Sequence, residues 1–137
     1  MSPLLLDTNA AIWIMRDEPI SRAALDAMNA ARQSSTDVFV SPVTALEVGQ
    51  LVSRNRVNLG ATPNGWFGRL LAIPGMRLAD LTPDLLIASS FLPGAPPRDP
   101  MDRILIATAR ELAATLVTRD REILAYGEQG NVRVVEC

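Results

Sequence analysis

Four acidic residues stand where the chain passes from one element to the next: Asp7 after Leu4-Leu5-Leu6, Glu47 within a helix-like stretch, Asp102 near a helix start, and Asp120 after Leu116-Val117. Carboxylates at the ends of buried apolar runs tend to converge, and converging carboxylates repel unless a positive charge lies between them. A divalent cation is the usual remedy, so the first chemistry these residues suggest is metal-dependent. Each also has a plainer reading. Asp7 and Asp120 are well placed to cap the helix that follows, and Asp99 and Asp102 fall at the N-cap and N3 of another, where the positive helix end favours carboxylates. Asp99 reads better as a cap, and Asp102 as a ligand. Glu47 is harder to dismiss. Val43, Glu47 and Leu51 are four apart and share a helix face, and a carboxylate in an apolar stripe needs a partner or a metal. The alternative is that the stripe runs through Leu46 and Glu47 is solvated.

Composition narrows the chemistry. The 137 residues contain no histidine and one cysteine, which removes histidine triads, histidine acid–base chemistry and nearly all zinc sites. Every basic residue is arginine, so Schiff-base lysines and a phosphate-loop lysine are excluded as well. A receiver domain, similar in size and acidity, needs a lysine and is disfavoured. The net charge of −2 does not announce a polyanion binder, and such binding would need a local arginine patch. Nearly half the residues are apolar (48%) and 20% are charged, which fits one folded domain spanning residues 1–137. No apolar run approaches the roughly 18 residues that span a bilayer, and the first residues lack the pattern of a signal peptide. The expected compartment is the cytoplasm.

The elements that must position the carboxylates alternate in type. Strands are predicted at Leu4–Leu6, Val38–Val40, Met76–Leu81, Leu116–Val117 and Val132–Val135. Helices are predicted over Thr8–Met15, Ser21–Arg32, Ser41–Ser53, Asp99–Ala114 and Arg119–Tyr126, with further starts at Thr62-Pro63 and Thr82-Pro83. The recurring Ser/Thr/Asp-Pro pair is an N-cap followed by proline in the first turn. This alternation gives an α/β layered fold with a mostly parallel sheet flanked by helices, in which ligands bind beyond the carboxyl ends of the strands. Gly65-Trp66-Phe67-Gly68 with Leu70-Leu71 reads as core, or as a groove for a partner helix. Trp13 poses the same choice.

LLLDTNAAIW at 4–13, SPVTALEVGQL at 41–51 and DPMDRILIATARELAATLVTRD at 99–120, in that order and spacing, resemble the PIN-domain nucleases and, within them, the VapC-like toxin ribonucleases. The resemblance covers nearly the whole chain. It implies a PIN-like three-layer α/β fold and an endoribonuclease dependent on Mg²⁺ or Mn²⁺, leaving 5′-phosphate and 3′-hydroxyl ends. It implies that Asp7, Glu47, Asp102 and Asp120 form the catalytic metal cluster, with Asp99 an accessory ligand and Thr8, Asn9 and Thr118 in support. Arg98, Arg103, Arg119 and Arg121 would hold RNA phosphates, unless salt bridges to nearby acids occupy them. A homodimer and a cognate VapB-like antitoxin are implied as partners. One departure is Pro97, at a position where relatives often carry histidine. Two other classes are weighed: a haloacid-dehalogenase-like phosphatase, which needs a second aspartate where this chain has Asn9, and a catalytically silent PIN-like module that binds RNA or protein.

Overall fold

The computed structural model describes residues 2–137. The elements run β1 (Leu4–Leu6), α1 (Thr8–Met15), α2 (Arg22–Gln33), β2 (Val38–Val40), α3 (Pro42–Ser53), α4 (Pro63–Leu71), β3 (Met76–Leu78), α5 (Pro83–Ala88), α6 (Pro100–Leu112), β4 (Thr115–Thr118), α7 (Arg121–Glu128) and β5 (Val134–Glu136). The five strands form one sheet in the order β3-β2-β1-β4-β5, and every pairing is parallel.

The continuous apolar strands follow from a sheet covered on both faces. Leu4 and Leu6 enter one core with Ala11 and Ile12 of α1, Ala24 of α2, Val48 of α3 and Trp66 and Leu70 of α4. Leu5 points the other way, joining Leu105, Ile106 and Ala109 of α6 and Ile123 and Tyr126 of α7. The result is three layers, the strand period of two dividing β1, β2, β4 and β5 between two cores. Trp66 is buried and belongs to the first core, with Phe67 partly buried beside it. The apolar side chains of this segment are therefore core, while Gly65 and Gly68 are exposed.

Several boundaries differ from the sequence expectation, among them β5, which runs Val134–Glu136 and not Val132–Val135. β3 ends at Leu78, not Leu81. The amide of Ala79 bonds to Val40, and Ser41 already caps α3, so later residues have no strand beside them. α7 starts at Arg121, because Asp120 is its N-cap, and runs to Glu128. α6 stops at Leu112, followed by Ala113 in the left-handed region at φ 51°.

Connections leave β1 toward β2 on one side, while β4 lies on the other. The chain therefore reverses its strand order between β1 and β4, the place where open α/β sheets leave a crevice at the carboxyl ends. Asp7 follows β1 and Asp120 follows β4 by two residues.

Candidate functional site

A cavity of about 410 Å³ opens at that crevice, lined by Asp7, Thr8, Asn9, Trp13, Glu47, Asp99, Asp102, Leu105, Arg119 and Asp120. The fold thus gathers all five carboxylates expected from the sequence, from four separate segments, together with Thr8 and Asn9. A larger hollow of about 660 Å³ lies at the amino ends of β4 and β5, but no carboxylate lines it.

Each carboxylate is set by its own element. Asp7 is buried, with 7% of its surface exposed. Its Oδ1 caps α1 by accepting from the Ala10 amide at 2.8 Å, and its Oδ2 accepts from the Thr118 hydroxyl at 2.6 Å. Asp120 caps α7 through Oδ1, which accepts from Glu122 at 2.9 Å and Ile123 at 3.0 Å. Asp99 caps α6 in the same way, with Oδ1 taking Met101 at 2.8 Å and Asp102 at 3.1 Å. The capping role and the cavity-lining role coexist, because a carboxylate has a second oxygen to offer. Glu47 is half-buried on α3, and Leu46 beside it is 48% exposed. The apolar stripe therefore runs through position 47. The Thr8 hydroxyl donates to Glu47 Oε1 at 2.7 Å and lies 3.2 Å from that of Thr44.

Burial and neighbouring charge hold Asp7, Glu47 and Asp102 above the ordinary carboxylate range. Asp102 is pushed up to about 7, first by burial and then by the charges of Asp120, Asp99, Glu47 and Glu122. Burial raises Asp7 as well, against the Thr118 and Ala10 hydrogen bonds, and the Asp120 charge adds to the rise. Glu47 is raised by burial, opposed by Thr8 and reinforced by Asp99 and Asp7. Among the described residues the ion pairs are Arg16–Glu18, Arg22–Asp26 and Arg77–Asp37. None involves a carboxylate of the cavity. A set of oxygen donors that repel one another, with Arg119 alongside but ion-paired to none of them, fits a hard divalent ion such as Mg²⁺ or Mn²⁺, and lacks the nitrogen and sulfur donors zinc prefers.

Glu122 was not anticipated. Carboxylate oxygens of Asp102, Asp120 and Glu122 all lie within 4.8 Å of one another. The available signal was its place in the first turn of α7, two residues past Asp120. Trp13 also lines the cavity, and its spacing from Asn9 marks one face of α1. Of the four arginines expected near the site, only Arg119 lines the cavity. Arg103 donates Nε to the Pro97 carbonyl at 2.6 Å, and Arg98 and Arg121 are exposed. None of the four forms an ion pair among the described residues.

The sequence profile of the PIN domain matches residues 4–129. Ribonuclease VapC22 of Mycobacterium tuberculosis is 29% identical over 127 residues, 92% of this chain and 93% of the relative. Two solved structures share the fold at lower identity. VapBC2 from Rickettsia felis, bound to a promoter DNA fragment, superposes with a TM-score of 0.69 at 13% identity, covering 98% of both chains. DNA-bound VapBC from Salmonella typhimurium gives 0.59 at 17%, covering 99% of this chain and 98% of that one.

Proposed function

The chain belongs to the PIN-domain family, and from that premise we propose that it is a metal-dependent endoribonuclease, the toxin of a toxin–antitoxin pair. The observation that carries this reading is the convergence of five carboxylates on one cavity, none of them in an ion pair among the described residues. The relationship to Ribonuclease VapC22 supplies the substrate class.

Asp7, Glu47, Asp102 and Asp120 would hold Mg²⁺ or Mn²⁺, with Asp99 and Glu122 at the margin. The bound ion would offset the carboxylate charge that otherwise repels RNA, and would activate water for attack on phosphorus. The protein's own work is positional. Thr118 and Thr8 fix the carboxylates of Asp7 and Glu47 by hydrogen bonds, which partly oppose the rise that burial imposes on those groups. Asn9 is exposed on the cavity wall and offers an amide to substrate or water. Arg98 and Arg121 lie outside the cavity, available to flanking phosphates, and Arg103 keeps the donors not committed to Pro97. Pro97 has no polar side chain and takes no part in proton transfer.

A homodimer and a VapB-like antitoxin are the partners this reading implies, since the Rickettsia and Salmonella neighbours are VapBC assemblies. No described helix is long and apolar enough to cross a membrane, and we place the protein in the cytoplasm. A phosphatase of the haloacid-dehalogenase type is disfavoured by Asn9 and by the family. A silent binding module would leave the carboxylates without a task.

The deciding experiment is RNA cleavage by purified, antitoxin-free protein with Mg²⁺, Mn²⁺ or EDTA, alongside Asp7→Asn and Asp120→Asn. Cleavage should require metal and vanish in both variants. Metal binding without cleavage would replace the enzyme by the silent module.

A further inference from the structure

Resting on the ribonuclease reading, we infer that Arg119 is the phosphate contact at the mouth of the cavity and that Trp13 is the residue that positions it. The Arg119 guanidinium carbon lies 3.9 Å from the centre of the Trp13 ring. Its Nε donates to the main-chain oxygen of Cys137 at 2.8 Å. Both side chains line the cavity. Arg119 directly precedes Asp120 and follows Thr118, so its root is fixed to the same strand end as the acidic cluster.

The choice of partners carries the inference. An arginine placed among five carboxylates would ordinarily collapse onto one of them, and its charge would be spent there. Arg119 forms no ion pair among the described residues. It is held instead by an aromatic face and, through Nε, by the main-chain oxygen of Cys137, so that no side-chain carboxylate of the cavity takes its outer N–H groups. Only Nε bonds to Cys137, so the outer N–H groups remain for a planar, bidentate partner such as a phosphodiester. A ribonuclease with an anionic cavity needs a cation of this kind, since the acidic cluster repels the RNA backbone. The other expected arginines do not line the cavity. Trp13 has no carboxylate to hold and, unlike Trp66 at 3% exposure, is not fully enclosed. Its ring serves as the platform on which the guanidinium is laid.

The test is binding of a short unstructured oligoribonucleotide by fluorescence anisotropy, with Ca²⁺ in place of Mg²⁺, across a range of NaCl. Arg119→Gln should weaken binding about tenfold and flatten the slope of log affinity against log salt by about 0.7, the value of one phosphate on a single strand. Arg119→Lys should keep the slope but not the affinity. Trp13→Leu should weaken binding about three- to fivefold, Trp13→Phe less, and Trp13→Leu should have no effect in the Arg119→Gln background. Unchanged salt slope in Arg119→Gln, or additive effects of the two substitutions, would overturn the inference while leaving the ribonuclease reading intact. Failure of the native protein to bind RNA at all would overturn both.

Discussion

The Thr118 hydroxyl joins Asp7 to Asp120: Oγ1 donates to Asp7 Oδ2 at 2.6 Å and accepts from the Asp120 amide at 3.0 Å. One buried side chain thereby sets the position of two carboxylates that come from strands distant in sequence. Threonine suits the place because a hydroxyl both donates and accepts, and its methyl group fills the core at 0% exposure.

Thr118→Val keeps the shape and removes both bonds. Asp7 would lose the donor that opposes its burial, and its carboxyl would rise further. We expect a stability loss of about 1–3 kcal/mol in urea unfolding and weaker Mn²⁺ binding by calorimetry at neutral pH. Thr118→Ser should recover most of the metal affinity. Equal Mn²⁺ affinity in the valine variant would show that the hydroxyl does not act on the cluster.

Asp102 supplies a pH dependence whose sign follows from linkage. Its carboxyl lies at about 7 in the folded chain against an ordinary 3.8, so between these values the native state binds the extra proton. Stability of the metal-free protein therefore falls as pH rises from about 4 to about 7, and the loss is complete above 7. Asp102→Asn should remove this component, leaving the variant more stable than native above pH 7. The gain is on the order of 1 kcal/mol, since solvent screens a half-buried group. Thermal melts in EDTA across that window provide the check, and parallel curves for the two proteins would contradict it.

Divalent cations should reverse the same strain. Mg²⁺ or Mn²⁺ at a hundred times its dissociation constant should stabilise the fold by about 2.7 kcal/mol, with affinity falling as pH drops below 7 because protons compete for Asp102. Glu122→Gln should weaken binding while leaving it measurable, as expected of an exposed carboxylate beside Asp102 and Asp120. Calorimetric titrations with Mn²⁺ compare the two proteins directly, and identical binding curves would remove Glu122 from the set.

Gly127 controls how closely α7 approaches β5. A Cβ there would meet Val134 Cγ2 at 2.6 Å and the Val132 carbonyl at 3.3 Å. Gly127→Ala should cost about 1–3 kcal/mol and, by moving the helix that carries Asp120 and Glu122, lower cleavage as well. Urea midpoints and cleavage rates test the two effects separately. A native-like midpoint would mean that Val134 moves aside without loss.

What the sequence determined by itself was local. The apolar run Leu4–Leu6, the Ser41-Pro42, Thr62-Pro63, Thr82-Pro83 and Asp99-Pro100 starts, and the carboxylates at element ends are written in neighbouring residues, because caps and strand periodicity depend on positions a few apart. These were enough to read a layered α/β fold and the five acidic residues that now line one cavity. Distances between segments were beyond that reach. Whether Glu122 reaches Asp102 depends on how α7 sits against α6. That Arg119, and not Arg98, Arg103 or Arg121, faces the cavity depends on Trp13 arriving from α1. The second is set by β1 pairing with β4 across more than a hundred residues, a contact made by backbone hydrogen bonds and shared burial, which no local spacing encodes.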